Sequence, residues 1–128
     1  ELCSKFKPEA IAFDRWNMAE LERIMAEENV ELPLEQWGQG YASMSNAVAA
    51  FEERVLNKQF IHPDNPVLNW SLSNVVLDQD PAGNRKLSKQ RSRDKIDSIQ
   101  ALVQAVGIAA KQQPPVELDF SQPMVIEI

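Results

Sequence analysis

The sequence predicts an α/β domain in which a mixed sheet is flanked by helices. Three observations carry this prediction. Short apolar runs alternate with stretches of helical periodicity in the first half; the turn residues Asp80-Pro81-Ala82-Gly83-Asn84 separate two strand-like segments; and a long apolar stripe begins near Ile96. At 128 residues and 44% hydrophobic, the chain matches one ordinary domain with a modest core. Residues 1–112 are expected to form that domain and 113–128 a C-terminal tail.

The first element is the apolar run Ala10 to Phe13, which ends at Asp14 and reads as a strand. Met18, Leu21, Ile24 and Met25 then recur at helical spacing, and Asn29 supplies a stop. Val30 to Trp37 alternates around Pro33 as an extended segment closed by Gly38 and Gly40. Ser43 or Ser45 is suited to cap the next helix, whose apolar positions are Val48, Phe51, Val55 and Leu56. This β-α-β-α order favours parallel neighbours with helices on the sheet faces. Beyond His62-Pro63, Leu68, Leu72, Val75 and Val76 keep helical spacing, while Asn74 to Leu77 also suits a strand, so a helix followed by a strand is expected. Val75 to Asp78 and Arg85 to Leu87 then form a hairpin across the 80–84 turn. From Arg93 onward, Ile96, Ile99, Leu102, Val103 and Val106 line one helix face until Pro114-Pro115 ends it. In the tail, Met124-Val125-Ile126 is able to add to a sheet edge.

Composition excludes several classes. One cysteine, Cys3, rules out a disulfide framework, offers no zinc spacing and suits a reducing cytosol. No apolar run reaches the roughly 20 residues that span a bilayer, and no basic-then-apolar leader opens the sequence, so neither membrane insertion nor secretion is expected. The net charge of −6 argues against nucleic-acid binding taken by itself. Its distribution argues the other way: Glu9 to Glu35 is rich in carboxylates, whereas Arg85, Lys86, Lys89, Arg91, Arg93 and Lys95 crowd one short stretch. Such a basic stretch is either a solvated arm or a contact for a phosphate-bearing substrate.

Two carboxylates are candidates for chemistry. Asp14 follows the end of a strand, where ligand sites gather in α/β sheets, although an Asp there also caps a following helix well. Asp97 begins the last helix, where the helix dipole favours a carboxylate, and its place between Ile96 and Ile99 suggests a crevice. Meeting at one sheet end, the two would offer hard oxygen ligands for Mg²⁺ or Mn²⁺. His62 reads as structural; Gly38-Gln39-Gly40 lacks the remainder of a phosphate loop; Trp16, Trp37 and Trp70 read as core or core-edge anchors rather than base-stacking platforms.

Taken in order, Ile11 to Asn17, Gln39-Gly40, His62-Pro63 through Asn74, Asp80 to Asn84 and Lys95-Ile96-Asp97 resemble the large terminase subunits of tailed bacteriophages over roughly Phe6 to Lys111. The resemblance implies a ribonuclease-H-like nuclease fold and two-metal hydrolysis that cuts concatemeric viral DNA during packaging. Of that family's three acidic ligands, Asp14 matches the second and Asp97 the third. The first has no counterpart, because the ten residues before Ile11 contain no earlier hairpin. The chain is therefore expected to lack the first strands of the fold, to cut weakly or not at all alone, and to be prone to self-association through an exposed sheet edge. The implied partners are double-stranded DNA, the portal and the small terminase subunit, and the implied place is the cytoplasm of a bacterial host. The alternative is a non-catalytic assembly or portal-docking module with the same fold; a resolvase or transposase of related fold fits the Lys95-Ile96-Asp97 context less well.

Overall fold

The computed structural model describes residues 2–14, 16 and 18–112, so the tail beyond Gln112, including Met124 to Ile126, lies outside the described residues. The elements are α1 (Leu2–Phe6), β1 (Ile11–Phe13), α2 (Ala19–Glu27), β2 (Leu34–Gln36), α3 (Tyr41–Leu56), α4 (Pro66–Asn74), β3 (Leu77–Gln79), β4 (Arg85–Leu87) and α5 (Asp97–Gln112).

The strands pair in two separate ladders. β1 runs parallel to β2, with Ile11 opposite Leu34 and Phe13 opposite Gln36, as a crossover through α2 requires. β3 and β4 form the antiparallel hairpin, with Leu77 opposite Leu87. Both parallel and antiparallel pairing are thus present, but among the described residues they build two two-stranded sheets rather than one continuous sheet. The strands are shorter than the sequence suggests: Val30 to Pro33 stays outside β2, and the Pro33 carbonyl instead accepts from the Ile11 amide.

The hairpin turn is held by chemistry readable in its residues. The Asn84 amide donates to Asp80 Oδ1 at 2.8 Å and the Asn84 side chain to Oδ2 at 2.9 Å. Gly83 takes φ +88°, a conformation that favours glycine.

The core lies between α3 and α5 and is closed by the hairpin. Met44, Ala47, Val48, Leu87, Ile96, Ile99, Val103 and Ile108 are buried there with Trp37. α3 and α5 approach closely because Gly107 has no side chain: a Cβ at that position would stand 2.6 Å from the Ala47 Cβ and 2.9 Å from Trp37 Cζ2. The first turn of α5 is satisfied from outside the helix, with the Ile99 amide donating to Ser71 Oγ of α4 at 3.3 Å.

Several expectations are corrected at element ends. α3 starts at Tyr41 with Gly40 as its N-cap and no side-chain cap; Ser45 instead accepts from the Arg85 amide, tying α3 to β4. α5 starts at Asp97 rather than near Arg93, because residues 88–96 form turns anchored by the buried Ile96. Val55 and Leu56 at the end of α3, and Leu21 and Ile24 of α2, are exposed rather than packed. α1 is too short for its periodicity to be read. Trp37 alone of the three tryptophans is core; Trp16 is 74% exposed and Trp70 is also exposed.

Candidate functional site

Asp14 follows β1 directly, where the strand ends and the chain turns toward α2. It does not cap that helix: the N-cap is Met18, without a side-chain hydrogen bond. Instead the Trp16 backbone amide donates to Asp14 Oδ1 at 3.3 Å, a local turn that fixes the carboxylate beside the next residue but one. Asp14 is half-buried on the wall of a cleft of about 550 Å³, shared with Trp16, Gln36, Gln39, Gly40 and Ser43. The parallel pairing of β1 with β2 makes this cleft, because it brings the ends of both strands to the start of α3. A second cleft of about 440 Å³ shares Gln36, Trp37 and Ser43 with it and continues toward Asn46 and Lys111. The Trp37 Nε1 is buried between these elements and has no hydrogen-bond partner among the described residues.

Asp97 occupies a different setting. The sequence suggests a crevice, but its side chain is 69% exposed. The reason is register: the residues of the first turn that face inward are Ile99 and Gln100, with Ile96 just before it, so Asp97 points out. Its Oδ1 accepts from Lys89 Nζ at 2.9 Å. That hydrogen bond, followed by the charges of Lys89 and Lys95, holds the Asp97 carboxyl below its usual value.

The six cations predicted to meet nucleic acid fall into two groups. Arg85 makes a two-pronged bond to Glu52, at 2.9 and 2.7 Å. Lys86 lies over the Tyr41 ring, 4.7 Å from its centroid; Lys89 holds Asp97; Arg91 binds Asp78 at 2.9 Å. Arg93 and Lys95 are exposed and make no side-chain ion pair among the described residues, although the Arg93 amide donates to the Asn74 carbonyl. Three of the six are thus matched by a carboxylate within the fold, and the stretch is less basic than its composition.

A metal would find hard oxygen donors at both carboxylates, which suits Mg²⁺ or Mn²⁺. The residues present do not complete a cage: among the described residues no group of three or more His, Cys, Asp or Glu side chains is able to hold a metal. The parts of α5 that line grooves with β1 and β2 are Ala105 to Gln112, and Asp97 lies at its other end, roughly 15 Å along the axis from Gly107. The structure therefore gives each carboxylate its own surroundings. The sequence reads Trp16 as a core or core-edge anchor, but the structure leaves it exposed on the cleft beside Asp14, and no periodic signature marks that exposure.

Comparison with known proteins bears on the whole domain. A family model described as terminase large subunit, endonuclease domain, matches residues 2–113. The chain is 36% identical over 109 residues to the terminase large subunit of Enterobacteria phage HK97, a match covering 85% of this chain and 22% of that protein. It is 34% identical over 73 residues to protein YmfN of Escherichia coli strain K12, covering 56% of this chain and 16% of that protein. The crystal structure of the HK97 bacteriophage large terminase matches with a TM-score of 0.77 at 34% identity, over 84% of this chain and 22% of that one. The chain thus spans about a fifth of the length of the relatives it resembles.

Proposed function

The chain belongs to the terminase large subunit endonuclease family and has its ribonuclease-H-like fold, and from that membership we propose that it hydrolyses phosphodiester bonds of concatemeric viral DNA for a packaging terminase. The observation that carries the proposal is the family match across residues 2–113. The half-buried Asp14 on a polar cleft supports it, because a nuclease needs a carboxylate held at a groove wide enough for substrate.

We assign Asp14 and Asp97, each in its own surroundings, as two carboxylates that would offer oxygen ligands to Mg²⁺ or Mn²⁺ without completing a cage between them. Such an ion would supply an activated water and neutralise charge at the phosphate. The chain's own residues have simpler tasks. The Asp14 turn keeps its carboxylate oriented, and the exposed Arg93 and Lys95 draw the DNA backbone in without reading its sequence. Double-stranded DNA, the portal and the small terminase subunit are the partners, and the bacterial cytoplasm the place of action, that this reading carries; no helix among the described residues is long and apolar enough to cross a membrane.

The test exchanges residues 2–113 for the matching part of the HK97 large terminase and measures plasmid nicking in Mn²⁺. The exchanged protein should nick DNA and lose this activity on Asp14→Asn or Asp97→Asn. A folded exchange protein that binds portal but leaves plasmid intact would return the chain to the assembly-module reading.

A further inference from the structure

We infer that the start of α3 binds a phosphodiester of the DNA backbone through the donors of its first turn, and so seats the strand next to Asp14. The inference rests on the nuclease reading above and adds to it a phosphate site that this reading does not use.

The cleft of about 440 Å³ is lined by Gln36, Trp37, Ala42, Ser43, Asn46 and Lys111 among others, and by no Asp or Glu among the described residues. Ala42 and Ser43 belong to the first turn of α3. The Met44 amide donates to the Gly40 carbonyl, so the amides of Tyr41, Ala42 and Ser43 come before the helix ladder begins. A side chain at the N-cap usually takes such amides, but the N-cap is Gly40 and none is offered. The 16 residues of α3 bring the positive end of their dipole to the same place.

A second feature of this wall is independent of the helix end. Trp37 is 8% exposed and lines both this cleft and the one that holds Asp14, and its Nε1–H has no hydrogen-bond partner among the described residues. A buried N–H without an acceptor is costly, and an oxygen-rich ligand would supply the acceptor. Backbone amides, an indole N–H, the Ser43 hydroxyl and the Lys111 ammonium all donate, which selects an anion. Lys111 is held by Glu35 at 2.9 Å, but its side chain is 68% exposed, and surface pairs are weak enough for a phosphate to compete.

Asp14 decides which anion fits. It would repel a free dianion nearby more than a phosphodiester, which carries a single charge. The strand bearing that phosphodiester can continue into the adjoining cleft, which shares Gln36, Trp37 and Ser43 and reaches Asp14. Anchoring one linkage at α3 thus directs the next part of the strand toward the carboxylate.

The experiment exploits Gly40, whose φ of −79° suits other residues and whose Cβ position has nothing within 4 Å. Gly40→Asn puts a neutral cap on the same amides. It should weaken binding of a fluorescein-labelled duplex to the full chain, read by anisotropy at fixed salt, about 10-fold or more, with a melting temperature no lower than the parent's. Gly40→Ala, which adds no acceptor, should bind at least about fivefold more tightly than Gly40→Asn. Lys111→Gln should lower the slope of log affinity against log salt by about 1. Equal duplex binding by the parent and Gly40→Asn, equal binding by the two Gly40 variants, an unchanged slope in Lys111→Gln, or no duplex binding by the parent chain would each overturn the inference. So would a site for free phosphate only: a rise of the parent's melting temperature in inorganic phosphate that Gly40→Asn abolishes while duplex binding ignores the substitution. The nuclease reading is scored apart, by nicking in the HK97 exchange. Asn-sensitive binding without Asp14-dependent nicking would remove the enzyme and leave the phosphate site; the converse would remove the site and leave the enzyme.

Discussion

The cleft at the ends of β1 and β2 and the basic stretch from Arg85 to Lys95 both hold charged or polar groups near the surface, yet they differ in how far those groups are already satisfied. At the cleft, among the described residues, Asp14 accepts a long backbone hydrogen bond from Trp16, α3 begins without a side-chain cap, and Trp37 Nε1 is unpartnered. In the basic stretch, Arg85, Lys89 and Arg91 each meet a carboxylate of the same fold. Charges matched internally fasten the hairpin to α3 and α5; groups left unmatched are those with capacity for a ligand. Composition alone does not separate Arg85, Lys89 and Arg91, which meet a carboxylate of the fold, from Lys86, Arg93 and Lys95.

The largest expected effect tests the cleft. In the HK97 exchange protein, Asp14→Asn should lower nicking at least about 100-fold, as loss of a metal ligand costs no less than loss of an outer partner. Glu52→Gln, which disturbs a matched charge, should leave nicking within about twofold while weakening the Arg85 contact. Comparable losses from both variants, read by plasmid nicking at equal protein concentration, would erase the distinction between the regions.

Next comes the packing that supports the cleft. Gly107→Ala places a methyl 2.6 Å from the Ala47 Cβ and 2.9 Å from the rigid Trp37 ring, so α3 and α5 must part or Trp37 must move. Overpacking of this kind costs about 1–3 kcal/mol, against a helix-propensity gain of about 1 kcal/mol. The chemical-denaturation midpoint should fall, and because Trp37 walls both clefts, Trp37 fluorescence should change with it. A midpoint at or above the parent value would show that the helices have slack.

How much of this was legible depended on whether local chemistry or tertiary contact decided the outcome. The order of strands and helices from Ile11 to Gln112 was legible, because turn residues and apolar periodicity act within a few residues. So was Asn29 as the stop of α2, where φ is +53°. Ser45 as a helix cap was not, since its hydroxyl is taken by the Arg85 amide forty residues away. Nor was the exposure of Asp97, which depends on whether residue 96, 97 or 99 faces inward, a matter of one-residue register. Trp16 and Trp37 show the same limit: a tryptophan's burial is decided by what the fold brings against it, and nothing adjacent in sequence tells the two apart. The ion pairs that quiet the basic stretch join residues 8 to 33 positions apart, beyond any local pattern.

The basic stretch itself can be divided more finely. Arg93→Gln should reduce the slope of log affinity against log salt by about 1 for duplex DNA, whereas Arg85→Gln should leave the slope unchanged and cost about 0.5–1 kcal/mol of stability instead, the pair being only partly exposed. Arg91, paired with Asp78 yet 65% exposed, should fall between them. Equal slopes for all three variants would mean that DNA strips the internal pairs on binding.

The smallest effect concerns acid. Asp80 is held below its ordinary value first by the Asn84 side-chain amide and then by the backbone amides of the turn; Asp78 is lowered first by the Ser88 hydroxyl and then by Arg91 and Lys86. A carboxylate whose folded pKa lies below its unfolded value, about 3.9 for Asp, contributes stability that is fully present above that unfolded value and is lost as pH falls through the folded one. The hairpin should therefore lose a small increment of stability below about pH 4, and Asp80→Asn, which cannot titrate, should flatten that part of the melting-temperature curve without shifting its neutral plateau much. An acid limb as steep in Asp80→Asn as in the parent would show that the hydrogen bonds from Asn84 to this carboxylate do not favour the fold, and the hairpin would lose its place as the internally satisfied region.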